Sequence, residues 1–489
     1  MSSVDRAAPR VPHPVVLRLS WALAALTACA GIAGAAGVGS NAAAIASFAI
    51  PLTALLLLRP EWLPPLLVVT VFTEQQGVHN VHISRVVAPI AAVALIVYVA
   101  RQRALPRFPS RWILIAVGAY TAWALVSLLW TEHVGSMFTR DGGTAYALAS
   151  LALAVLYMLA CATLIERWQD VRRMLIAVWL SATVVGAIAI GQYLAGERPA
   201  GLNVGPNYFA AAQVIVLPVA VMLATTTEDR RWRAVVLAGV AVIGFSIFAA
   251  ESRGGLIALG GVLILLAIQR AGTFFPSVKF KRDFLVTAVV CGAVLFPITW
   301  FGVGNGVYGS GATSQASSGG LSGHVATTGA GGSGRIYLWR AAVRGWEDHP
   351  LWGLGYGAFT PEANRLLLRT HVNLNSYRLR PHGQPVHNAY LESLAELGAV
   401  GLLLFAGVLG TMYATLRRVG AEADNANDRL LGTLSRALII SIAGYVLAAM
   451  FLSIETYRAL WILLGLTLAL PWLTREARPT ADAAGTADR

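Results

Sequence analysis

The densest polar stretch of the chain is Pro381-His382-Gly383-Gln384-Pro385-Val386-His387-Asn388, which ends where an apolar run begins at Ala389. Asn388 is placed to cap a helix starting there, and that sets His387 beside the helix's positive end. Histidine titrates near neutral pH, so His387 can take a proton from an attacking hydroxyl, and His382 is a second candidate for the same work. A histidine that only hydrogen-bonds its own loop fits this pattern too, and these residues alone leave both roles open. Glu392 and Glu396 follow at i,i+4. Buried carboxylates are costly in a membrane bundle, so each is expected to meet an arginine or a polar cavity. Glu455 and Arg458, at i,i+3, are spaced to satisfy one another.

The second set is cationic. Arg253 lies in Glu251-Ser-Arg-Gly-Gly255, and Arg335, Arg340 and Arg344 lie in Arg335-Ile-Tyr-Leu-Trp-Arg340-Ala-Ala-Val-Arg344. Guanidinium binds phosphate oxygens in pairs and keeps its charge at any physiological pH. Arginines beside a histidine loop suit a membrane-held pyrophosphate; for any one of them, headgroup binding or snorkelling fits equally. No His/Cys/Asp/Glu spacing resembles a metal site, and no Gly-rich nucleotide loop is present. The expectation is therefore no metal and no cofactor, with the energy carried by the substrate.

These residues must be positioned by membrane-spanning helices. Of 489 residues 56% are hydrophobic and only 12% charged, with a mean hydropathy of +0.64. A soluble domain carries about 25% charged residues. Apolar runs of the length that crosses about 30 Å of hydrocarbon recur near 17–37, 41–58, 62–74, 85–100, 112–130, 145–165, 174–195, 207–225, 233–250, 254–270, 284–303, 389–416, 433–452 and 456–473. The third is short enough to be re-entrant. The fold class is an all-α polytopic integral membrane protein with about 12–14 transmembrane helices. Its net charge of +13 comes mainly from arginines in short loops, which speaks for anionic lipid rather than nucleic acid.

Loop charge sets the orientation. Arg101/Arg103/Arg107/Arg111, Arg167/Arg172/Arg173, Arg230/Arg231/Arg233, Lys279/Lys281/Arg282 and Arg417/Arg418/Arg429 fall in alternate loops, with Arg475 and Arg478 on the same side. The opposite loops hold single arginines: Arg85, Arg140, Arg198 and Arg253. Both termini are thus expected in the cytoplasm. Arg6, Arg10 and Arg18 before an apolar stretch, with Leu26-Thr27-Ala28-Cys29, resemble a cleavable leader, but an uncleaved first helix is the expectation. Cys29, Cys161 and Cys291 read as small apolar residues without a disulfide framework.

One segment leaves the membrane on the outer side. It divides the chain into N-terminal spans (1–200), central spans (201–303), a long external loop (304–388), C-terminal spans (389–473) and a cytoplasmic tail (474–489). The Gly/Ser/Thr-rich part, Gly302 to Gly334, reads as a flexible strand. From Arg335 to Trp346 apolar and basic positions recur at helical spacing, which predicts a helix along the interface. A turn at Gly353-Leu-Gly-Tyr-Gly357 and a short helix from near Pro361 follow.

His387-Asn388, then nine residues, then Gly398-Ala-Val-Gly401 resembles the histidine signature of the O-antigen ligase family. Ser252-Arg-Gly-Gly255, Gly334-Arg-Ile-Tyr-Leu-Trp339 and His349-Pro-Leu-Trp-Gly-Leu-Gly355 resemble that family's other stretches, in the same order, over roughly residues 200–460. The resemblance implies a metal-independent, inverting glycosyltransferase of the bacterial inner membrane with a periplasmic active site. It implies an undecaprenyl-pyrophosphate-linked glycan as donor and a sugar hydroxyl of lipid A-core as acceptor. On that reading His387 is the general base; Arg253 and Arg335, with Arg340 as a third, hold the pyrophosphate; and Asn388, His382 and Glu392 support them.

Two relatives by chemistry compete with this reading: a polysaccharide polymerase using the same donor, and a protein O-oligosaccharyltransferase. From another class comes a lipid-linked glycan transporter, which would place charges mid-span and show repeated halves. Here the polar residues gather in one outer loop and at span ends.

Overall fold

A computed structural model shows what these segments build. It describes residues 52–73, 77–78, 81–102, 108, 110–135, 143–197, 199–203, 205–301, 335–370, 379 and 383–476. Outside the described residues lie the expected span at 17–37, most of that at 41–58, Cys29, Arg140, Arg198, His382, the Gly/Ser-rich stretch and the tail from 477; so does the side chain of Arg85.

The helices are α1 (Leu63–Phe72), α2 (Ile83–Gln102), α3 (Arg111–Val126), α4 (Thr144–Leu164), α5 (Trp168–Leu194), α6 (Pro206–Thr226), α7 (Arg230–Ala249), α8 (Arg253–Ile268) and α9 (Val278–Phe301). After the long loop's first part come α10 (Arg335–Asp348), α11 (Phe359–Arg369), α12 (Ala389–Asn425), α13 (Arg429–Ala449) and α14 (Arg458–Glu476). Among the described residues seven helices are long and apolar enough to cross a bilayer: α3 with its following turn, α4 to α7, α12 and α13. Stretches of α2, α8 and α14 are equally apolar but shorter. The expected run at 62–74 is one arm of a bent pair, Leu52–Leu58 and Pro60–Phe72, folded through 116°. Pro60 explains the bend, because the residue before a proline is driven out of helical geometry. Gly77–Val78 pairs antiparallel with Val81–His82. The chain is an all-α polytopic membrane protein.

Its polar contacts sort into two ends. At one, Ser110 meets Thr415 at 2.9 Å, Lys281 donates to the Gln269 carbonyl at 2.7 Å and Thr433 to the Thr273 carbonyl at 2.9 Å. The arginine-rich loops lie there. At the other, Thr131 meets Thr144 at 2.8 Å, Ser252 meets Asn207 at 2.8 Å, and His387 meets Ser453 at 3.0 Å. Helix α6 runs between the ends as the most enclosed span, with 89% of its apolar window buried. A helix buried on all sides is fixed in rotation and depth, so the residues at its end are well placed to build a site.

The second half of the external loop folds over that end as a cap. Leu338, Ala341, Ala342 and Gly345 bury one face of α10 at i, i+3, i+4, i+7 spacing. Phe359, Ala363, Leu366 and Leu367 do the same for α11. The two faces close on Val386 and Ala395 in a small core of their own. Three of the cap's arginines have local partners, which accounts for part of its basic charge. Arg344 pairs with Glu347 at 2.8 Å, Arg365 with Glu362, and Arg369 with Asp348 at 2.5 and 3.1 Å. His133 reaches Glu362 at 3.3 Å.

The Arg369 guanidinium holds the Asp348 carboxyl below the usual carboxylate range, chiefly by its hydrogen bond. A depressed acid contributes stability above its unfolded value and loses it as pH falls through the folded one. The pair is solvent-screened and its contribution modest. Protection factors of the α10 and α11 amides, corrected for intrinsic exchange, are expected to fall as pH drops through the acid range, and Arg369→Ala to remove most of that pH dependence.

Candidate active site

The arginines are set by two helix starts. Ser252 caps α8: its hydroxyl accepts from the Gly255 N–H at 3.2 Å and donates to Asn207 Oδ1 at 2.8 Å. That ties the start of α8 to the first turn of α6. Gly254 and Gly255 allow the approach, since a Cβ on Gly255 would stand 2.6 Å from the Ala210 Cβ. Arg253 is therefore the first residue of α8, and Arg335 is the first residue of α10. Both guanidiniums begin at the positive end of a helix, where anions are favoured. Burial, and after it the nearby Arg253 charge, push the Arg335 pKa below the ordinary guanidinium value. The Tyr208 hydroxyl acts on Arg335 in the opposite sense. A small cavity lies here, lined by Asn207, Ser252, Gly255, Arg335, Phe451 and Leu452.

The histidine arrives from the other side. Asn388 caps α12, its Oδ1 accepting from the Tyr390 and Leu391 N–H groups at 3.1 Å each. His387 is half-buried and takes a positive φ of 57°, a region few non-glycine residues occupy. Its N–H donates to Ser453 Oγ at 3.0 Å. Tyr208 in turn donates to the Ser453 carbonyl at 3.5 Å. One turn, between α13 and α14, thus joins the arginine side to the histidine side.

Glu392 and Glu396 are both buried, and among the described residues neither is met by an arginine. Glu392 hydrogen-bonds the Ser453 hydroxyl, the Val386 N–H and Glu455. Glu396 accepts from the Gly357 N–H at 2.7 Å and the Phe359 N–H at 3.2 Å. Of the expected arginine or polar surroundings, both carboxylates find the second, and the backbone donors at Glu396 are brought in where α12 breaks at Gly398, with φ 67° and ψ −169°. The cap's turn docks into the break. Leu354 N–H donates to the Ala395 carbonyl at 2.9 Å, Gly355 N–H to that of Glu396 at 2.8 Å, and Ala399 N–H to that of Pro350 at 2.9 Å. Arg458 lies over the Tyr157 ring at 5.9 Å, while the charges acting on Glu455 are those of Glu392 and Glu396.

Of the residues singled out in the sequence, the fold gathers Arg253, Arg335, His387, Asn388 and Glu392. Arg340 is exposed; five residues on from Arg335 at about 100° each, it points some 140° around α10 from it. His382 lies outside the described residues. Asn207, Tyr208 and Ser453 join the site without having been marked out by any motif. Only the Ser252-to-Gly255 spacing, a capping pattern, carries a signal for that corner. Among the described residues no group of three or more His, Cys, Asp or Glu is arranged to hold a metal ion.

Residues 238–406 match the family model described as O-Antigen ligase. Over that stretch the chain is similar to the O-antigen ligase family. The matched stretch runs from within α7 to within α12, so it holds Arg253, Arg335, Arg340, His387, Asn388, Glu392 and Gly398. Tyr208, Ser453 and Glu455 reach the site from outside it. A relative, "Exopolysaccharide production protein ExoQ" of Rhizobium meliloti (strain 1021), is 30% identical over 104 residues, which is 20% of this chain and 22% of ExoQ. The chain thus matches about a fifth of that relative's length.

Proposed function

We propose that the protein transfers a glycan from an undecaprenyl-pyrophosphate carrier to a sugar hydroxyl of lipid A-core, at the periplasmic face of a bacterial inner membrane. What supports this reading is that Ser453 accepts the His387 N–H on its hydroxyl and the Tyr208 O–H on its carbonyl, while Arg335 lines a small cavity with Asn207, the neighbour of Tyr208. The acceptor hydroxyl gives its proton to the His387 imidazole as its oxygen attacks the anomeric carbon. The bond from that carbon to the pyrophosphate oxygen breaks, and undecaprenyl pyrophosphate leaves with the electron pair. Charge grows on the leaving oxygens during this step. Two guanidiniums close enough for one charge to act on the other favour that charge more than the ground state, so they lower the barrier. The arginine-rich loops at the opposite end support a cytoplasmic placement of that end and a periplasmic placement of the site. The division into N-terminal spans, ligase-like region, periplasmic loop and C-terminal spans belongs to the same reading.

The likeness to the Rhizobium exopolysaccharide production protein favours a second reading, in which the acceptor is another lipid-linked glycan and the product a longer polysaccharide. One assay separates the two. Purified protein in nanodiscs receives lipid-pyrophosphate-linked glycan and lipid A-core, with chelator present, and product size is followed on gels. Glycan on lipid A-core, with rates down about 10²–10³-fold in Arg253→Ala and Arg335→Ala, is the expected result. Longer lipid-linked chains with no transfer to core would make the protein a polymerase. Bound donor without either product would remove the transferase reading and leave a transporter.

A further inference from the structure

The turn between α13 and α14 holds a second acidic group next to the histidine loop, and its chemistry is not used by the transfer step. Glu392 and Glu455 hydrogen-bond each other. Two ionised carboxylates offer only acceptors, so a contact between them requires a proton. Glu392 Oε2 and Glu455 Oε1 are both buried, and neither meets another protein donor. Ser453 stands between this pair and the histidine. Its oxygen accepts the His387 N–H at 3.0 Å, which leaves its own O–H to donate to the Glu392 carboxylate. The His387 N–H thus leads through Ser453 to Glu392, and one proton is held between Glu392 and Glu455.

We propose that Ser453, Glu392 and Glu455, with one proton between the two carboxyls, form a positioning device that holds the strained His387 backbone in its working geometry. Unsupported, a positive φ at histidine relaxes toward ordinary backbone and swings the imidazole away. A carboxyl pair that shares one proton and accepts from Ser453 keeps the serine oxygen aimed at the His387 N–H. The groups acting on Glu455 from neighbouring elements are Tyr120 of α3, Tyr356 of the cap's turn, Glu392, Glu396 and Tyr390 of α12, and Tyr445 of α13. Each of these is an acid. Burial first, and then the Glu392 charge, push the Glu455 carboxyl well above the usual range. An acid raised in this way contributes its full stability below the unfolded value and loses it as pH rises through the folded one. When Glu455 ionises, two adjacent carboxylates repel, and Ser453 loses its fixed acceptor.

The catalytic consequence rests on His387 being the base, so the test includes a readout that does not. Infrared difference spectra of the full-length protein in nanodiscs report protonated carboxyls by their carbonyl stretch. A protonated-carboxyl band at neutral pH that disappears in Glu455→Gln and persists in His387→Asn is expected. Absence of such a band, or its survival in Glu455→Gln, overturns the proposal whatever the enzyme does. In the transfer assay, Ser453→Ala is expected to lower kcat about tenfold with KM for the donor little changed, and Ser453→Thr, which keeps the hydroxyl, to restore most of it. Glu455→Gln cannot ionise yet still donates, so the alkaline fall of its rate is expected at higher pH than in wild type. An unshifted alkaline limb, or equal losses in Ser453→Ala and Ser453→Thr, counts against the device even with the band present. A band that behaves as expected in a protein without transferase activity would leave the carboxyl pair standing and remove only the proposed reaction.

Discussion

His387→Asn is expected to slow glycan transfer by about 10²–10⁴-fold, the range over which a positioned general base acts. Asparagine is the informative replacement because of the backbone. At a φ of 57°, alanine would add strain of its own, whereas asparagine is among the residues that tolerate this region. It also keeps the N–H that donates to Ser453. A loss of rate in His387→Asn is then a loss of proton transfer and not of loop shape. Initial rates at saturating donor, set beside donor affinity from a binding assay, check this: kcat should fall while donor binding, which the arginines carry, stays within a few-fold. A rate within tenfold of wild type would mean that another group accepts the proton, and that His387 serves the loop alone.

Gly398→Val is expected to be the most damaging change to the fold outside the spans' own packing. A Cβ at this position would stand 2.3 Å from both the carbonyl carbon and the oxygen of Leu351, and 2.5 Å from the Trp352 nitrogen. These are main-chain atoms, so no rotamer change relieves the overlap. The turn opposite is equally constrained, since a Cβ on Gly353 would meet the Glu396 carbonyl at 2.4 Å. Backbone strain of about 1–3 kcal/mol and three inter-segment hydrogen bonds of about 0.5–1.5 kcal/mol each are at stake, on the order of 3–6 kcal/mol together. The check is a thermal transition in detergent combined with protease sensitivity of the cap. The variant should show an early cleavage between α10 and α11 while the remaining helices resist. A wild-type cleavage pattern would show that the break in α12 does not hold the cap.

Much of this architecture is legible in the amino-acid sequence. The apolar runs give the spans because lipid demands length and composition, and both are properties of a single segment. Asn388 before Ala389 gives the start of α12, and the 3.6-residue periodicity of 335–346 gives α10 and its buried face. The orientation of Arg340 is also within reach, because a five-residue offset on a helix does not share a face. Other features depend on segments remote in the chain. Ser453 lies 66 residues from His387, and nothing in its surroundings marks it as that residue's partner. An arginine is the natural expectation beside Glu396, because buried carboxylates usually find a cation. Its actual partners are N–H groups made available by a turn 37 to 39 residues earlier. Gly398 stands out in the sequence as part of a signature, yet only the docked turn shows that it ends one helical stretch and starts another.

That docked turn has a consequence for how such an enzyme can diversify. The cap is registered to the bundle by peptide groups, through Pro350, Leu354 and Gly355 on one side and Ala395, Glu396 and Ala399 on the other. Main-chain atoms are common to every residue type, so the joint is indifferent to most side chains around it. Residues on the outward faces of α10 and α11 can then change without shifting Arg335, which stands at the head of the same cap. A fixed joint beneath a variable surface lets one scaffold keep its buried corner while the outside of the cap diverges.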